Sequence, residues 1–451
     1  MNAKPLRKQQ KQKDALINDS LKNLRKSAVN CNACSEAFVQ KFLSQIPAED
    51  IIDWQAEDLT RISKSMLDWA CTRKFNEPSL RVYTPQDESA PGWNNGRTII
   101  EIVNDDMPFL IDSIASELNH LNEDIEILIH PILKVTRDKK GNLIAVDGAG
   151  ADGHESLFES YIHIQLENIL PEERCKTLEK ELIAIVEDVR KATSDWHSML
   201  SRLDSVIQEM AHIPAENEVD VINEARSFLQ YVHDNNFTLL GYRKDDVQKT
   251  KDDVFFVKSK NSGLGLLSDA KDILTNSDQQ SLHVHALEDN SSPVMVSKLI
   301  GERSTVHRRV PFDVVLVKIL DKNNKLVGRH IFIGLFTSST YSCRTSEVPI
   351  IRRKVQETIG LASFGHDSHD FKALEHILEK FPRDELFQID VESLVDTALG
   401  ILRLQERQRI ALFTRFDKLG SYMSCLVYVP RDSFDSMFRA KVGRILEQGF
   451  D

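Results

Sequence analysis

The sequence predicts an α+β fold of serial antiparallel-sheet modules joined by amphipathic helices, with the last module truncated. Three observations carry this. Residues 97–138, RTIIEIVNDDMPFLIDSIASELNHLNEDIEILIHPILKVTRD, read as strand, proline turn, helix, strand. Further short segments of alternating apolar residues are separated by helical stripes of 3.6-residue period. A final strand pair and one helix close the sequence without the strands that would complete a sheet.

A chain of 451 residues has room for several domains. Its net charge of −12 sets a long-range field that disfavours non-specific binding to nucleic acid or anionic membrane. No apolar run approaches the length of a membrane span, and a cytoplasmic location is expected. Of the six cysteines, Cys31 and Cys34 form a CNAC pair. Zinc would need two further ligands at matching spacing, and no second pair exists, so the spacing is read as incidental.

The basic start, MNAKPLRKQQKQKDALINDS, lacks the apolar core of a signal peptide, and residues 1–30 are expected to be a disordered tail. Residues 31–96 form a helical segment, with Leu59, Ile62, Met66 and Leu67 sharing a face, followed by a short strand LRVYTP and a GWNNG turn. In the next module residues 98–103 are a strand. Pro108 suits the first turn of a helix whose stripe is Phe109, Leu110, Ile114 and Leu118. Residues 124–136 are β-rich with an irregularity at Pro131. After a Gly/Asp-rich loop, residues 158–166 alternate again, and Pro171 opens a long helix with a break near Thr193. Residues 97–203 thus read β-α-β-β-α, the ferredoxin-like order before its last strand, with helices on one sheet face.

A second module follows at 219–359: a helix at 219–235, five strands at 237–242, 254–258, 293–299, 313–320 and 327–336, and a closing helix. Residues 321–325, DKNNK, make a good hairpin loop. Five strands flanked by helices resemble a PAS-like sensor. Residues 371–408 are amphipathic helices that serve as a linker motif. Residues 409–451 read β-β-α, an incomplete module whose missing part is expected from a longer or split gene.

Candidate chemistry is sparse. Walker A, HExxH and GxSxG patterns are absent. Residues 262–268, SGLGLLS, contain GxGxxS, but Ser268 departs from the dinucleotide fingerprint, and the segment is read as a flexible loop. His366, His369 and His376 have metal-ligand character without a partner cluster. Asp367, Ser368 or Asp370 there explains itself as a helix cap, and no metal site is assigned. The basic residues Arg303, Arg308, Arg309, Arg352 and Arg353 are candidates for ion-paired interfaces between domains or subunits. Asn104, Asp105, Asp106, Met107, Pro108, Phe109 and Leu110 occupy the strand-to-helix turn. Either the polar members cap their own helix, or the free N–H groups hold a ligand carboxylate.

The segments DDMPFLIDSIASEL, ILIHPILKV, NFTLLGYR, RSTVHRRVPFDVV, GLFTSSTY, VPIIRRKV, DSHDFKALEHILEKFPRDELFQ and YMSCLVYVPRDSF, in this order, resemble the N-terminal region of the large bacterial NAD-specific glutamate dehydrogenases from about residue 97 onward. The resemblance implies that 97–203 is an ACT-like domain, 219–359 the PAS-like one and 409–451 the start of another sheet module. It implies a regulatory and oligomerisation role in an enzyme that deaminates L-glutamate oxidatively to 2-oxoglutarate and ammonia with NAD. The catalytic part belongs to a region absent here, so no catalytic residue and no cofactor are assigned to this chain; NAD belongs to the parent enzyme. The implied partners are a second copy or the missing catalytic part, with an amino-acid effector at Asn104–Leu110 by analogy. Two rival readings are a stand-alone amino-acid-binding or interaction protein from a split or decayed gene, and an independent enzyme with a site around His366 and His369.

Overall fold

A computed structural model describes residues 3–26, 34–85, 97–147, 156–210, 219–251, 254–268, 280–289, 292–366, 368–404, 407, 409–420 and 422–450. Cys31, the GWNNG turn and Asp367 lie outside the described residues. The chain divides into two units, one of residues 1–193 with 305–309, the other of 194–304 with 310–451.

Unit 1 begins with four helices, α1 (Ala3–Leu24), α2 (Ser35–Ser44), α3 (Ala48–Ile51) and α4 (Ala56–Ala70). Strands β1 (Ser79–Tyr83) and β2 (Ile99–Asp105) follow, then helix α5 (Leu110–His120). Strands β3 (Ile125–Ile129), β4 (Ile132–Arg137), β5 (Leu143–Val146) and β6 (Ser156–Leu166) lead to helix α6 (Glu172–Ser194). The sheet is antiparallel in the order β1-β2-β6-β4-β5, with β3 also on β6. Strands β3 and β4 continue one another along β6: Ile129 pairs with His163 and Ile132 with Ser160, and the interruption falls at Pro131. Proline has no N–H to give the ladder, which is why the strand breaks there.

Three expectations are corrected in this unit. The N-terminal tail is not disordered from residue 3 to 24: α1 buries Ile17 and Leu24, and Lys13 Nζ donates to the carbonyls of Ser44 and Ile46 at 2.5 Å each. The sheet does not start at residue 97, because β1 pairs with β2 from Ser79↔Val103 to Tyr83↔Ile99 and supplies a further edge strand from upstream. Helices cover both sheet faces instead of one. Alternation puts Val103, Tyr161, Leu133 and Val135 on one face, where they join Phe38, Phe42, Leu59 and Met66 of the N-terminal helices in a single core. The other face carries Ile100, Ile102, Ile162 and Ile164, all buried, on the side where Arg190 of α6 reaches Asn104.

Unit 2 contains α7 (Trp196–Met210), α8 (Val219–Tyr231), β7 (Phe237–Lys249), β8 (Val254–Lys258), β9 (Leu264–Gly265) and α9 (Gln280–Asp289). It continues with β10 (Val294–Arg303), β11 (Pro311–Leu320), β12 (Leu326–Phe336), α10 (Ser338–Ser342), α11 (Ile351–Ala362), α12 (His369–Lys380), α13 (Arg383–Gln388) and α14 (Val391–Leu404). It ends with β13 (Ala411–Phe416), β14 (Met423–Tyr428) and α15 (Ser436–Phe450). The main sheet is antiparallel in the order β10-β11-β12-β7-β8, with β9 on β7. Strands β11 and β12 are apolar almost throughout, as strands buried on both faces must be. In the hairpin between them Asp321 Oδ1 accepts from the N–H groups of Asn323 and Lys325, at 2.8 and 2.9 Å.

The break near Thr193 falls between α6 and α7, and α7 belongs to unit 2, so the first module stops short of residue 203. Helices α12, α13 and α14 are more than a linker. Their stripes, with Leu374, Leu378, Leu386, Phe387, Leu394 and Ala398, share one core with Phe228, Phe332 and Phe336 of α8 and the sheet. The Phe336 and Phe387 rings stack at 4.5 Å. The SGLGLLS segment is ordered into β9 and a turn. There Gly265 has φ +59°, and a Cβ would sit 2.4 Å from the Leu240 carbonyl oxygen, so only glycine passes.

Candidate functional site

The structure places the turn 104–110 at the end of β2 and excludes the capping explanation for its polar residues. Helix α5 starts at Leu110 with Phe109 as its N-cap, left-handed at φ 66°, and no side chain caps it. Asn104 instead is buried in the strand, accepting from Arg190 and donating to the Asp105 carbonyl at 2.8 Å. Asp105 accepts from Arg73 at 2.5 Å and from Arg190 at 2.7 Å. Burial would raise its pKa, but those two guanidinium hydrogen bonds outweigh it and hold the carboxyl below its usual value. Asp106 is exposed and accepts from Ser160 Oγ at 2.8 Å. The Met107 sulfur lies 3.7 Å from Thr193 Oγ1, Pro108 is exposed, and Leu110 is buried.

Residues 305–309 belong to unit 1 and lie over α5. His307 N–H donates to Ser113 Oγ at 2.9 Å, its Nδ1 is 3.1 Å from Asp112, and its ring stands 5.1 Å from that of Phe109. Arg309 N–H donates to Ser116 Oγ at 3.1 Å, and its guanidinium pairs with Glu117. The turn is therefore walled by a second segment that sequence distance hides. Of the basic candidates, Arg309 pairs within unit 1, Arg352 grips Glu224 in a fork at 2.8 and 2.7 Å, and Arg353 donates to Glu357 at 2.6 Å. Arg303 ends β10, and Arg308 N–H donates to the Val306 carbonyl at 3.0 Å. Near His366, Ser368 is the cap, accepting from Phe371 N–H at 3.1 Å, while the His366 ring packs edge-on to Phe371. Among the described residues no group of three His, Cys, Asp or Glu side chains is placed to hold a metal ion.

Sequence reasoning missed a polar array buried between the N-terminal helices and the sheet. Glu159 accepts from Arg73 at 2.8 Å and from Arg137 at 2.7 Å, and Tyr161 O–H donates to it at 2.8 Å. Beside it Glu101 accepts from Arg81 and lies 3.1 Å from His163 Nδ1. Burial pushes both carboxylates up, and their cationic and hydrogen-bonding partners overcome it, so both stay below the usual carboxylate range. Burial, aided by Glu159, pushes the Tyr161 hydroxyl well above its usual value. The signal was present as Glu101, Glu159, His163 and Gln165 alternating with apolar residues, which reads as a solvent face when no second helical layer is foreseen.

Comparison with known families places these features. The ACT1 domain of glutamate dehydrogenase matches residues 38–182, its helical motif 1 matches 348–407, and its ACT2 domain matches 411–451. The first match begins well before residue 97, in keeping with β1 and the helices packed on the sheet. NAD-specific glutamate dehydrogenase of Halomonas elongata is 32% identical over 92% of this chain, and that of Pseudomonas aeruginosa 32% over 91%. The Mycobacterium tuberculosis enzyme of the same name is 24% identical over 84%. The chain spans 26%, 25% and 22% of those relatives' lengths. With three domain matches in order and 32% identity to two relatives over more than nine-tenths of its own length, the chain belongs to the N-terminal region of the NAD-specific glutamate dehydrogenase family.

Proposed function

We propose that this chain is a regulatory and oligomerisation region of an NAD-specific glutamate dehydrogenase, with glutamate and NAD handled by a catalytic part outside it. The ordered match to two ACT domains and a helical motif, over a quarter of the relatives' length, carries this reading. In it, the sheet of unit 2 is the PAS-like module. Its strand order, with β7 set between β8 and the β10-β11-β12 meander, supports that assignment.

The effector site is the turn 106–109 with the first turn of α5. Three observations support it: no side chain caps α5, Asp106 is exposed, and the Phe109 and His307 rings pack together beside it. Helix N–H groups suit an amino acid's carboxylate, and Asp106 its ammonium.

A thermal-shift series of the chain with each common amino acid tests the effector site. At least one should raise the melting temperature by linkage, and Asp106→Ala should abolish that rise. A flat series rejects the effector role. Glutamate-dependent NAD reduction that co-purifies with the chain rejects the regulatory reading altogether.

A further inference from the structure

A cavity of about 230 Å³ opens in unit 2, between α8, β10, α11, the α13–α14 junction and the β13–β14 turn. Its apolar lining includes Met295, Val296, Phe387 and Ile389, each less than a tenth exposed. An engineered apolar cavity of roughly 150 Å³ takes up benzene, so this one has room for a somewhat larger molecule.

Its charges are unevenly settled. The carboxylates on the wall are all engaged. Glu224 is forked by Arg352 and accepts from Ile350 N–H at 2.9 Å, and Glu357 accepts from Arg353 at 2.6 Å. Asp390 accepts from the N–H and hydroxyl of Ser393 at 2.8 and 2.9 Å, and Asp417 from Ser297 Oγ at 3.3 Å and Leu419 N–H at 3.2 Å. The lysines are different. Lys354 Nζ donates to the carbonyls of Leu386 and Phe387, at 3.0 and 2.7 Å, which orient the ammonium without neutralising it and leave one of its three protons. Lys418 is exposed and makes no hydrogen bond or ion pair among the described residues. Neither lysine is salt-bridged among the described residues, and the charge of Asp390 pulls on both.

From this geometry we infer that the cavity binds a small organic carboxylate, its anionic end between Lys354 and Lys418 and its apolar body against Met295, Val296, Phe387 and Ile389. The surrounding electrostatics agree. Burial, then Lys418 and Arg415, drive Lys354 down to about 7, against the pull of Asp390 and Glu385. Burial and Lys418 drive Lys318 down to about 8. A bound anion adds to the pull of Asp390 and Glu385 and favours the protonated Lys354.

The test uses the whole chain, with benzoate and inorganic phosphate as probes in calorimetry and thermal shift. Benzoate is expected to bind and raise the melting temperature, more tightly at pH 6.5 than at pH 8.5 because the free Lys354 loses its proton between them. Lys418→Ala, at an exposed position that leaves the fold unchanged, should weaken benzoate at least tenfold. Equal binding by wild type and Lys418→Ala, no benzoate binding, binding of phosphate alone, or an affinity indifferent to pH would each overturn the inference.

Discussion

Arg73, just after α4, and Glu159, on β6, form an ion pair of 2.8 Å with both side chains fully buried, although they are 86 residues apart in sequence. Arg137 closes on the same carboxylate, and Asp105 on the same Arg73, so two guanidinium groups and two carboxylates share one array. A buried charge without its partner is costly, whereas the intact pair is close to neutral in net stability.

Glu159→Ala is therefore expected to destabilise unit 1 by about 3–5 kcal/mol, because it leaves buried Arg137 without a carboxylate and Arg73 with Asp105 alone. Arg73→Met should cost less, since Arg137 still holds Glu159. Denaturant midpoints of the two variants check the order; equal losses would count against a shared array.

Acid should unfold unit 1 through the same residues. Glu101 and Glu159 both have pKa values lowered in the folded state. Below the unfolded value of about 4.3 the unfolded chain binds more protons than the folded one. Their stabilisation is thus complete above that pH and is lost as pH falls through the folded values. Denaturant midpoints between pH 6 and pH 3 should fall steeply, and Glu159→Gln should flatten the slope.

Phe109 sits at φ 66°, where a side chain costs roughly 1–2 kcal/mol that glycine does not. Phe109→Gly should be more stable than Phe109→Ala by about 1 kcal/mol, since both lose the ring and only alanine retains the strain. Melting temperatures of the pair read this directly.

In unit 2, Gly334 of β12 lies close against the backbone of β7. A Cβ there would meet the Thr238 carbonyl oxygen at 2.0 Å and the Phe237 ring at 2.5 Å. Gly334→Ala should cost about 1–3 kcal/mol by forcing the strands apart at the register shift between Ile333 and Gly334. Protection of β12 amides from hydrogen exchange should fall with it.

Much of this architecture was legible in the sequence, because strand alternation and helical stripes are local. The five long strands of unit 2, the hairpin at Asp321 and the break after Thr193 all follow from such patterns. What failed was non-local. Nothing near Ser79–Tyr83 says that this strand pairs with β2, and nothing in the lysine-rich start says that Lys13 will reach the Ser44 and Ile46 carbonyls. Of the two readings of the turn at 104–110, the cap fails. Asn and Asp before a helix suggest caps, yet β2 runs on to Asp105 and turns those side chains toward Arg73 and Arg190.

The segment between α4 and β1 has a consequence for how unit 1 can associate. Cys71 accepts from Leu143 N–H at 2.8 Å and Arg73 N–H donates to Gly141 at 3.1 Å, so this stretch runs along β5, while Glu179 of α6 takes the Val82 N–H on the outer side of β1. The start of β5 and the Val82 position of β1 are thereby occupied, and helices lie on both faces of the sheet. A fragment cut at residue 97 would lose β1, the stretch beside β5 and the helices on one face together, leaving β2 and β5 as bare edges open to aggregation.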